Sequence, residues 1–157
     1  MLDDEINDAI SISKIHFKRG PAGEPNTLLN DFKIYMGLCA VDSLGMNFDD
    51  NFVSGTKTLV YSANPFTVNV GVDEWFEIVL DTPYYYDYTD NLLLEFEWSS
   101  GEYSLYTWQW KGEGTRALRG DYGAGTANEP LEDVPHLILE GELSLDQSTF
   151  GSIKAQF

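Results

Sequence analysis

The chain has 157 residues, 43% of them hydrophobic and 14% aromatic, and its 26 acidic against 9 basic side chains leave a formal charge of −17. This is one ordinary domain, long enough to close an apolar core, too short for a (β/α)8 barrel and too apolar for a wholly disordered chain. So acidic a surface repels phosphate backbones and anionic bilayers, which excludes nucleic acid and membrane as the main partner.

The apolar period is mostly two, the signature of strands with one buried face. Ile10–Phe17 comes first, and its apolar phase shifts between Ile12 and Ile15, which predicts a bulge. Gly20-Pro21-Ala22-Gly23 reads as a turn, Phe32–Gly37 as a strand, and Ala40–Leu44 as one short helical turn. Lys57–Ser62 is the next strand, followed by an Ala63-Asn64-Pro65 turn and by Phe66, Val68, Val70 and Val72 facing inward. Trp75–Leu80 ends at Thr82-Pro83, which leaves Tyr84, Tyr85, Tyr86 and Tyr88 crowding a loop before Asp90. In the following strand Leu92, Leu94, Phe96 and Trp98 face inward, while Glu95 and Glu97 share a wet face. Tyr103–Trp110 and Thr115–Leu118 are further strands, and 120–135 is a long polar surface loop. Leu137, Leu139, Gly141, Leu143 and Leu145 form another inward face, and Ile153–Phe157 a last strand. About ten short strands with tight turns, no repeat and almost no helical pattern give an all-β fold. The expectation is a single domain over 1–157, a two-sheet antiparallel β-sandwich of jelly-roll type.

No stretch approaches the roughly 20 apolar residues of a membrane-spanning helix. The opening MLDDEINDAI lacks the basic and apolar regions of a signal peptide, which leaves a cytosolic protein or a piece of a larger exported one. Cys39 is the single cysteine, so no internal disulfide forms, and it reads as a small buried hydrophobe.

Residues 32–98 contain FKIYMG, SLGMNFDDNF, TLVYSAN and WFEIVLDTPYYYDYTDNLLLEFEW. This block resembles a module found in large secreted bacterial proteins, beside adhesin-like domains and sorting tails. The shared pattern is a strand ending in Tyr-hydrophobic-Gly, a Leu-Val-Tyr-Ser strand, Trp-Phe-x-Ile-x-Leu-x-Thr-Pro-aromatic, and Tyr-x-x-x-Asp-Asn-Leu. The match covers Phe32 to Trp98 and continues weakly through Arg116-Ala117-Leu118 and Val134-Pro135-His136-Leu137. The resemblance implies an extracellular, non-catalytic β-sandwich module. Two departures stand out: Leu38 follows Gly37 where a His is common, and Asp87-Tyr88 stands where Asn-Gly is common.

Two constellations can carry chemistry. Trp108 and Trp110 share one strand face, with Tyr106 two residues earlier, and Tyr84, Tyr85, Tyr86 and Tyr88 are close in sequence. Sugars present C–H faces that stack on flat rings, and nearby acids and amides accept their hydroxyl protons. Trp75 and Trp98 are assigned to the core instead. The second constellation is acidic: Asp87, Asp90 and Asn91 offer oxygens of the kind Ca2+ takes, without the spacing of an EF-hand. Asx-turns and a solvated surface are the plainer reading of those residues. From Thr58 to Trp110 there is no Lys or Arg, and salt or divalent cations are expected to relieve the self-repulsion.

Enzymatic signatures are missing. No Gly-x-Ser-x-Gly elbow and no phosphate-binding loop occurs, and His16 and His136 lie far apart in sequence. With 26 carboxylates, two at a glycosidase spacing are not excluded by sequence. The leading reading is a non-catalytic extracellular module of a larger secreted protein, for adhesion or carbohydrate binding, with glycans or other domains of the parent as partners. The alternative is a structural subunit or spacer without a small-molecule ligand.

Overall fold

The computed structural model describes residues 6, 8–103 and 105–143. Alternation makes each strand two-faced, and antiparallel pairing lines up the apolar faces of neighbours. The longest strand, β1 (Ile10–Gly23), lies between β14 (Leu137–Leu143) and β6 (Trp75–Tyr86). A second layer places β3 (Phe32–Cys39) between β4 (Thr58–Ala63) and β7 (Asn91–Glu97). Three small ladders border them. One sets β2 (Asn26–Asn30) between β5 (Phe66–Asn69) and β8 (Ser100–Glu102). Short β9 (Leu105–Thr107) joins the far end of β1. The pairs β10 (Gln109–Lys111) with β13 (Asp133–Pro135), and β11 (Ala117–Arg119) with β12 (Glu129–Leu131), complete an all-β antiparallel sandwich.

Between the layers lie Ile12, Ile15, Phe17 and Ile78 from the first, and Phe32, Ile34, Met36, Val60 and Leu92 from the second. The Phe17 ring meets Phe96 edge-on at 5.6 Å across the two layers, and Phe32 stacks on Phe66 at 4.4 Å. Each fully buried isoleucine contributes about 1.5–3 kcal/mol relative to exposure. The bulge expected between Ile12 and Ile15 is present: the register of β1 against both neighbours shifts between Ile12 and Lys14. Among the described residues no helix is long and apolar enough to cross a membrane.

Several local expectations are corrected. Residues Ala40–Leu44 form bends rather than a helical turn; the helical turn is Asp49–Asn51, a 3-10 turn. Gly20–Gly23 stays in β1, irregularly paired with β9. Thr82-Pro83 does not end β6, because Leu80–Pro83 bulge away from β1 where no ladder donor is required of a proline. The 120–135 loop contains β12 and β13. Trp75 and Trp98 are not core: they are 43% and 46% exposed, and Val72 and Leu143 are exposed too, because these positions lie at or beyond strand ends, where no opposing layer covers them. Leu145 and Ile153–Phe157 lie outside the described residues.

The segment joining β3 to β4 folds back over the outside of the second layer. Phe52 packs flat on Gly37, where an added Cβ would come within 2.5 Å of its ring. Lys57 Nζ donates to Asp49 Oδ1 and Glu95 Oε1, both at 2.8 Å, and lies over the rings of Tyr35 and Phe52. Glu95 is therefore not on a wet face: burial pushes its carboxyl above the ordinary range against the pull of Lys57. Asn51 organises the same segment. Its Nδ2 donates to the carbonyls of Gly45 (2.8 Å) and Asn47 (2.7 Å), and its Oδ1 accepts from the Gly45 N–H at 2.8 Å. Asn51→Ala removes these three hydrogen bonds, made by a buried side chain, and is expected to lower stability by about 2 kcal/mol in urea denaturation.

Candidate binding surface

The tyrosine run divides between two faces. Tyr84 and Tyr86 are 9% and 0% exposed, inside the sandwich, because β6 continues through them and alternation turns them inward. They are core rather than ligand platform. Tyr85 and Tyr88 point to solvent. Tyr88 has a φ of +63°, and its ring meets Tyr86 edge-on at 6.4 Å.

The acidic candidates do not assemble as a metal shell. Asp87 Oδ1 accepts from the Thr89 N–H at 3.2 Å and from its hydroxyl at 2.8 Å, an Asx-turn. The Asp90 carbonyl accepts from the Tyr86 hydroxyl at 2.8 Å. Asn91 is buried, and its Nδ2 donates to Val41 O and Asp42 Oδ1, both at 3.0 Å. These contacts draw Asp87 and Asn91 to different neighbours instead of one centre. Among the described residues no group of three His, Cys, Asp or Glu could hold a metal ion. Cys39 is buried, with its Sγ 3.4 Å from Val41 O.

Trp108 and Trp110 are exposed, at 38% and 53%, but do not share one strand: Trp110 is in β10, whereas Trp108 lies in the break between β9 and β10. The break is fixed by a ring of backbone hydrogen bonds. Trp108 N–H donates to Lys18 O (2.8 Å), His136 N–H to Trp108 O (2.7 Å), and Lys18 N–H to His136 O (3.2 Å). Across β1, Lys18 is paired with Trp75. Trp75, Lys18, Trp108 and His136 thus meet where β1 leaves the first layer. Trp110 packs on the His136 ring at 4.6 Å. Trp108 Nε1 donates to Asp73 Oδ1 at 2.5 Å, tying the indole to the turn before β6. Three of the four tryptophans are thus brought to one end of the first layer, Trp75 by its pairing with Lys18, Trp108 by its backbone bonds to Lys18 and His136, and Trp110 by its ring contact with His136. The sequence reading missed Trp75, Lys18, Asp73 and His136, since only strand register brings them to Trp108. Tyr85 stands at the opposite end of β6, paired with Ser11, so the two aromatic sets do not form one surface.

Between them the outer face of the first layer is laced with charge. Lys14 Nζ lies 3.0 Å from Glu140 Oε1 and 3.5 Å from Glu77, and His16 Nε2 is 2.9 Å from Glu140 Oε2. Hydrogen bonds from Lys14 and His16 hold the Glu140 carboxyl below the ordinary carboxylate range. A lowered folded pKa adds stability that is present above the unfolded value and lost as pH falls through the folded one. Wild type is thus expected to lose more stability than Glu140→Gln between pH 7 and about pH 3, read as the shift in urea midpoint.

Compared with known proteins, the chain matches no family model, no curated protein and no solved structure.

Proposed function

We propose that the protein is a non-catalytic extracellular module of a larger secreted protein, and that the surface formed by Trp75, Trp108 and Trp110 takes carbohydrate. One observation carries this reading: three exposed tryptophans, Trp75, Trp108 and Trp110, lie at one end of the first layer, beside Asp73, Lys18 and His136 in register, hydrogen bond or ring contact. Flat rings stack on the C–H faces of a sugar, while the carboxylate accepts and the ammonium donates hydrogen bonds to its hydroxyls. An exposed aromatic surface rimmed by polar groups is also what a binding site looks like on a monomer. The resemblance of Phe32–Trp98 to a module of secreted adhesin-like proteins supports the extracellular setting.

A glycan array probed with wild type, Trp110→Ala and Tyr85→Ala tests the reading. Retention on at least one glycan is expected, weakened about tenfold (~1.4 kcal/mol) by Trp110→Ala and unchanged by Tyr85→Ala. No retention of wild type on any glycan, with a monomer in light scattering, would leave a spacer domain instead.

A further inference from the structure

On the outer face of the first layer, strand register sets side chains in rows. Residues paired across strands stand side by side, with Cβ atoms about 4.5–5.5 Å apart. Ile15 and Phe17 are buried, so alternation turns Lys14, His16 and Lys18 outward. Lys14 is flanked by Val79 and Glu140, and His16 by Glu77 and Ile138. Lys18 is flanked by Trp75 on one side, and on the other its N–H donates to the carbonyl of His136, whose ring carries Trp110 at 4.6 Å. The lysine thus stands within the tryptophan surface rather than at its margin.

Charge is compensated in the first two rows and not in the third. Lys14 has Glu140 and Glu77 beside it, and His16 has Glu140. Among the described residues no carboxylate pairs with Lys18, whereas Lys33, Lys57, Lys111 and Arg119 each have one within 4.0 Å. With 26 acidic side chains for 9 basic ones, an exposed lysine without a carboxylate is unexpected. The two acids of the adjoining turn are engaged elsewhere. Asp73 Oδ1 accepts from Trp108 Nε1, and Glu74 Oε2 accepts from the Gly71 N–H at 2.9 Å. Lys18 is also half-buried, which strengthens any ion pair it makes. Its ammonium keeps its donors for a guest, and hydrogen bonds to a charged acceptor are roughly twice as strong as those to a neutral one.

We infer that the tryptophan surface selects acidic carbohydrate, whose sugars carry a carboxylate, and that Lys18 is the residue that distinguishes it from neutral carbohydrate. This rests on the reading of that surface as a carbohydrate site. The net charge of −17 does not forbid it. Exposed charges more than about 8 Å apart are largely screened at physiological ionic strength, so the nearest partner decides for a carboxylate in contact with Lys18.

The test uses two ligand pairs, trigalacturonate and trimannuronate, each with its methyl ester, which keeps the rings and removes the charge. Isotope-labelled protein is titrated with each, following backbone amide shifts. At least one acid is expected to bind about fivefold tighter than its own ester. Lys18→Gln, a surface change that keeps a donor and removes the charge, should bring that acid down to its ester and leave the ester unchanged. Trp110→Ala should weaken both forms alike. The inference is overturned if neither acid binds, if both esters bind as tightly as their acids, or if Lys18→Gln weakens acid and ester by the same factor. The glycan array separates the two failures. Retention on neutral glycans without preference for acidic ones overturns the role of Lys18 and leaves the carbohydrate reading standing, whereas no retention on any glycan overturns both.

Discussion

Tyr86→Ala is expected to destabilise the protein by about 4 kcal/mol, the largest effect of any single truncation proposed for this chain. Among the described residues Tyr86 is the largest side chain that is fully buried, and it belongs to the cluster shared by both layers. Removing its ring opens a cavity that neighbouring strands, fixed by their ladders, only partly close. Its hydroxyl also donates to Asp90 O at 2.8 Å and so ties the turn that leads into β7. Tyr86→Phe keeps the packing and leaves that carbonyl short of a partner, so about 1–2 kcal/mol of the loss remains. Chemical denaturation of the two variants separates ring from hydroxyl. A role for Tyr86 in ligand contact would instead show as lost binding at unchanged stability.

Gly141→Ala should cost about 3 kcal/mol although it adds one methyl group. Gly141 is paired with Ile12, beside the bulge of β1. An added Cβ would overlap the Ser11 carbonyl oxygen and lie 2.7 Å from its carbon and 2.9 Å from Ile12 Cα. These are backbone atoms, held from the other side by β6, so no rotamer change relieves the overlap. Strand β14 must shift or lose its pairing. A lowered melting temperature, with faster amide exchange along Leu137–Leu143 than along β3, is the expected signature. Retained exchange protection on β14 would mean that the two backbones are not in such close approach.

Much of this fold can be read from residue order, and the reasons for the exceptions are physical. The bulge of β1 is visible as a phase slip between Ile12 and Ile15 because side-chain direction in a strand has a strict period. The inward set Leu92, Leu94 and Phe96 is visible for the same reason. Trp98 fails because alternation decides which side a residue faces, not whether another layer covers that side. Tyr84 and Tyr86 fail because Thr82-Pro83 resembles a strand end, whereas the proline sits in a bulge facing away from the ladder. Asn51 is hidden in an acidic run, Asp49-Asp50-Asn51, whose composition suggests a solvated surface or a cation rather than a buried amide. The tryptophan surface needed register most of all. Trp75, Trp108 and His136 are scattered along the chain, and only their common contact with Lys18 joins them.

That surface exists only if the sandwich closes on isoleucine, phenylalanine and tyrosine while leaving every indole accessible. Trp75, Trp98, Trp108 and Trp110 are all between 38% and 53% exposed. Acrylamide quenching of intrinsic tryptophan fluorescence tests this most directly. The account predicts that all the emission is quenched, with no shielded fraction, in the native protein. A blue-shifted component that resists quenching would place at least one tryptophan in the core and contradict it.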